Sequence, residues 1–93
     1  MYIVRCDFSS EATIHTRDGK ECNLFQTNKS AFRITMDDRR VVLVVVHNPE
    51  LDAIGREEME RRARALSHAY LEQHENESYA VIEYESEDSK STS

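Results

Sequence analysis

Glycine and proline are scarce in this chain: it has two glycines, Gly19 and Gly55, and one proline, Pro49. A phosphate-cradling loop needs several glycines so that backbone N–H groups can close on the anion, and none can be assembled here. The two cysteines, Cys6 and Cys22, are too few for a disulfide framework or a cysteine-rich zinc site. Each falls in a strand-like segment and reads as a small buried apolar residue. No apolar run approaches the roughly 20 residues that span a bilayer. The opening MYIVRCDF lacks the basic start and long apolar stretch of a signal peptide, so a reduced, cytoplasmic protein is expected.

Basic residues are missing from one region in particular. The net charge is −6, yet residues 1–71 carry eleven acids and eleven bases. The imbalance lies after them, in Glu72, Glu75, Glu77, Glu83, Glu85, Glu87 and Asp88, a block that no lysine or arginine interrupts. Direct binding to a phosphate backbone is disfavoured, because it needs concentrated Lys and Arg. A basic surface on another protein is the natural counterpart.

What is present is a succession of short apolar runs. Residues 2–8 alternate, with Tyr2, Val4, Cys6 and Phe8 on one side. Residues 12–16 are rich in β-branched side chains. Asp18 and Gly19 signal a two-residue hairpin, because such a turn needs positive φ. Strands are expected again over 21–27, over 31–36 with Phe32, Ile34 and Met36 on one side, and over 41–47. Short turns between them describe an antiparallel meander.

From residue 48 to about 74 the chain is made of helix formers, opened by Asn48 as N-cap and Pro49 in the first turn. Spacing at 100° per residue puts Leu51, Gly55, Met59, Arg62, Leu66, Ala69 and Tyr70 on one stripe, with Leu71 on the polar side. Asp52 with Arg56, Glu57 with Arg61, Glu58 with Arg62 and Glu60 with Arg64 are i,i+4 pairs in the favourable order. Asn76 is a candidate left-handed terminator. Residues 78–85 form a last strand. The reading is thus α+β: an antiparallel five- to six-stranded meander with one long helix in the C-terminal half packed on one face, in the order β-β-β-β-β-α-β. One domain is expected over residues 1–85, followed by a polar, mobile tail over 86–93. The last strand belongs beside either the fifth or the first.

Residues 41–46 are apolar without interruption. Val42, Val44 and Val46 point one way, and Val41, Leu43 and Val45 the other. One helix covers one face, and two-sided apolar strands lie between two layers. Three covers suit the second face: the sheet's own strands, the same face of a second copy, or a different protein. Ile3 and Phe25 are candidates to extend that face.

Motifs for chemistry are thin. His15, His47, His68 and His74 form no HxxxH or HExxH pattern, and no metal or cofactor is expected. The two-residue hairpin register would set His15 across from Cys22, but cross-strand neighbours of this kind arise by chance. Arg62, in the apolar stripe, either lets its head reach Glu58 or meets a sheet carboxylate such as Asp7. The chain therefore reads as non-enzymatic: a small regulator or inhibitor docking its acidic C-terminal edge on a basic surface of a larger protein. A nucleic-acid groove, in which carboxylates stand in for phosphates, is a surface of this kind, and phage- and mobile-element-encoded acidic inhibitors offer the analogy. The alternative is a structural protein that forms a homodimer through Val41, Leu43 and Val45. No direct nucleic-acid or membrane binding is expected.

Overall fold

The computed structural model describes residues 2–16 and 18–85; the expected tail, including Glu87 and Asp88, lies outside the described residues. The fold is mixed α+β. Strands β1 (Ile3–Ser9), β2 (Thr13–His15), β3 (Glu21–Asn23), β4 (Lys29–Met36) and β5 (Val41–His47) are followed by helices α1 (Asn48–Ile54) and α2 (Arg56–Gln73) and by strand β6 (Tyr79–Glu83). The strands fall into two sheets, not one meander. Four form a sheet in the order β1-β4-β5-β6, while β2 and β3 pair only with each other. β1 is antiparallel to β4, β4 to β5, and β6 runs parallel beside β5, as the helical crossover between them requires.

The hairpin register differs by one residue from the two-residue turn. Ile14 faces Cys22 and His15 faces Glu21, because Thr16 N–H bonds to the Lys20 carbonyl and lengthens the connection. Gly19 holds φ at +84° within it, the positive φ that such a connection demands. Asp18 accepts from the Thr16 hydroxyl and from Lys20 N–H, which holds its carboxyl below the usual range.

Strand β1 changes face partway along. A bulge between Ile3 and Arg5 adds a residue to the strand, so strict alternation fails. Ile3, Cys6 and Phe8 pack on the main core, whereas Tyr2 and Val4 are exposed. Ile3 therefore does not extend the second face.

The helical segment breaks at Gly55, whose φ of 92° and ψ of 152° leave the helical region. His47, not Asn48, is the N-cap, and it makes no side-chain cap bond. The Asn48 amide is engaged elsewhere: it accepts from Ser30 Oγ at 2.5 Å and donates to Asn28 Oδ1 at 3.1 Å. α2 ends at Gln73 with His74 at φ −130°, so no left-handed terminator is used at Asn76.

The face that α2 buries is Met59, Ala63, Ser67 and Leu71, flanked by Leu66 and Tyr70. This face is rotated by roughly 90° from the stripe read in the sequence, at 100° per residue. Leu71 is consequently 0% exposed instead of lying on the polar side, and Arg62 and Ala69, expected in the stripe, are exposed. These helix residues meet Phe32, Ile34, Met36, Val42, Val44, Val46 and Ala80 from the sheet, and together they form the main core. Ser67 is tolerated there because its hydroxyl donates to the Ala63 carbonyl at 2.9 Å.

The second face of β5 is sheltered by the chain itself. Leu24, just past β3, is fully buried against Ala31 and Val45, with Ile14 and Val81 packed around them. Val45 is 4% and Leu43 7% exposed, while Val41 is half-buried. The small hairpin thus supplies part of the missing layer, over Ala31, Val45 and Val81. Phe25, a candidate for this face, points away and is 72% exposed.

Candidate functional site

The acidic residues are set out around β6 by the fold. β6 is an outer strand, paired only with β5 among the described strands. Val41 N–H bonds to the Ser78 carbonyl and Tyr84 N–H to the Val45 carbonyl. In a parallel pair the bonding residues alternate, so Ala80 and Ile82 also turn their backbone groups toward β5. Tyr79, Val81 and Glu83 then present theirs outward, as an open row of donors and acceptors.

The acids lie at both ends of this row. At its start, Glu72 closes α2, and Glu75 and Glu77 lie in the turn that enters β6. The Glu77 carboxylate accepts a short bond from the Tyr70 hydroxyl, and Arg40 Nη1 donates to the Glu75 carbonyl at 3.5 Å. At the far end are Glu83 and Glu85. They line an open depression of about 360 Å³ together with Glu50, Lys29, His47, Val45 and Tyr84. Glu50, from the first turn of α1, is the residue the sequence reading missed. It lies in the neutral part of the chain, and only the parallel pairing of β5 with β6 brings the start of α1 beside the end of β6. The block is therefore split into two groups, separated by the strand's length of about 17 Å at 3.3 Å per residue.

Val41, Leu43 and Val45 share a face as expected, but the hairpin lies over the end that holds Val45. Pairing of all three with a second copy would require the hairpin to lift away. The residue left open beside them is Tyr79, opposite Val41 and half exposed.

Other candidate chemistry is dispersed. His15 lies 3.6 Å from the Glu21 carboxylate, not across from Cys22. Both cysteines are free and half-buried, and burial, followed by the nearby Glu60 carboxylate, pushes the Cys6 thiol up and away from the reactive thiolate. His74 stacks on Tyr70 with ring centres 4.1 Å apart. Among the described residues, no group of three His, Cys, Asp or Glu is arranged to hold a metal ion, and no helix is long and apolar enough to cross a membrane.

The arginines of α2 are committed to local partners. Arg62 donates to Glu58 at 3.0 Å and to the Tyr84 hydroxyl at 2.7 Å, so it ties the helix to the end of β6 instead of meeting Asp7. Asp7 pairs with Arg5. Arg61 bonds to Glu58, not Glu57, and Arg64 meets Glu60 at 3.3 Å. Arg56 lies over the Phe8 ring, 4.2 Å from its centre, because the break at Gly55 separates it from Asp52. Comparison with family models, with curated proteins and with solved structures finds no match for this chain.

Proposed function

We propose that this is a small non-enzymatic binding protein, a regulator or inhibitor that docks its acidic C-terminal edge on a basic surface of a larger protein. The observation that carries this reading is the meeting of Glu83 and Glu85 with Glu50 in one open depression at the end of an outer strand. Three carboxylates, from α1, from the end of β6 and from the residues just after it, give this rim an excess of negative charge that complements a cationic surface. Lys29 is the one lysine or arginine among the described residues that line it. A groove that ordinarily holds nucleic acid supplies such a surface, and the carboxylates then occupy phosphate positions.

Charge reversal tests the reading. The tagged protein captures its partner from host extract, the partner is identified by mass spectrometry, and its affinity is measured for wild type and for the double variant E83K/E85K. The expected result is a loss of about tenfold or more, with wild-type binding weakened by salt, since rim charges act through long-range attraction. Unchanged affinity in a folded variant would remove the proposal.

A further inference from the structure

The two edges of the four-stranded sheet are not equally defended. β1 carries a bulge at Val4, and Arg5 and Asp7 lie along it, two devices that turn away an incoming strand. β6 reads YAVIE over its five residues, with no bulge, proline, lysine or arginine. Its outward backbone groups, those of Tyr79, Val81 and Glu83, meet no described strand. Glu75 and Glu77 stand at one end of that row, and Glu83, Glu85 and Glu50 at the other.

We infer that β6 receives an extended basic segment of the partner protein as an added strand. The inference rests on the docking reading above and specifies its mode. Main-chain hydrogen bonds to Tyr79, Val81 and Glu83 supply the attachment, and lysines or arginines reaching the two carboxylate groups fix which segment is accepted. The spacing suits this occupant: an extended chain of about five residues covers the 17 Å between the acidic ends. A second copy of this chain is a poorer occupant, because two β6 edges would bring their own carboxylates together.

The test uses the full chain and two probes of equal charge. One is a capped eight-residue peptide of alternating lysine and valine; the other is spermine, which has four charges and no peptide backbone. Amide hydrogen exchange is followed by NMR. With the peptide, exchange at Tyr79, Val81 and Glu83 should slow by about tenfold or more, as new hydrogen bonds protect these amides. Spermine should leave the three amides unchanged. Peptide that binds without protecting them, or fails to bind at millimolar concentration, overturns the strand addition. Protection that appears without peptide and grows with protein concentration overturns it in favour of a second copy. In E83K/E85K the peptide should bind about tenfold more weakly. If that variant binds equally well with the amides still protected, the acidic reading fails while the open edge stands.

Discussion

Leu71 shows how far a single residue can be read from the sequence. The i,i+4 series Met59, Ala63, Ser67, Leu71 advances by about 40° per step, and its small and polar members dilute the apolar signal. The larger Leu66 and Tyr70 draw the apparent stripe toward themselves, although both are only half-buried. Leu71→Ala should cost about 2–5 kcal/mol in chemical denaturation, and Leu66→Ala clearly less, because only the first opens a cavity in the closed core. Equal losses would contradict the rotated face. Glu58 provides a second measurement at this scale. Bonds from Arg61 and then Arg62 hold its carboxyl below the ordinary glutamate value. A depressed carboxylate contributes stability that is fully present above its unfolded pKa and is lost as pH falls through its folded pKa. The stability gap between wild type and Glu58→Gln should therefore be constant near neutrality and shrink as pH drops below about 4.3. A gap that widens in acid would refute the assignment.

At the scale of elements, most of the legible content lay in β4, β5 and the helical region. Alternation in β4, the unbroken apolar run of β5 and the change to helix formers after His47 are strong local signals, and these elements lie near their expected positions, although β4 starts at Lys29 and the one expected helix is two. Pairing was not legible in the same way. Nothing local to residues 12–27 says that β2 and β3 leave the main sheet, because that outcome is decided by Leu24 finding Ala31 and Val45. The acidic site was half legible: Glu83 and Glu85 are visible as a run, but Glu50 joins them only through the parallel pairing of β5 with β6. The helix break belongs here too. Gly55 combines φ 92° with ψ 152°, a region that side-chain-bearing residues avoid, although a methyl group there would meet nothing within 4 Å. Gly55→Ala should therefore destabilise by about 1–3 kcal/mol through backbone strain alone. If stability and helical circular dichroism both rise instead, the two helices are able to fuse and the break is not required by the packing.

The whole molecule solves a layer problem with very little chain. α2 covers one face of the sheet, and a hairpin of two three-residue strands covers part of the other. Two strands that short are marginal alone, so the hairpin stays down because Leu24 and Ile14 bury apolar surface against Ala31, Val45 and Val81. The same residues decide whether an apolar patch is shown to other molecules. Leu24→Asp places a carboxylate with no partner in that contact, a burial that costs more than the hairpin gains, so the hairpin should lift while α2 and the main core persist. Ala31 and Val45 would then be wet, and an exposed apolar face of this kind favours pairing with its own copy. Sedimentation at rising concentration should show self-association in the variant beyond that of wild type, with faster amide exchange over residues 13–23. A variant that sediments like wild type while those amides exchange freely would mean that the uncovered face is not adhesive. If wild type self-associates as strongly as the variant, the hairpin does not control that face, and its place as the sheet's second layer would be lost.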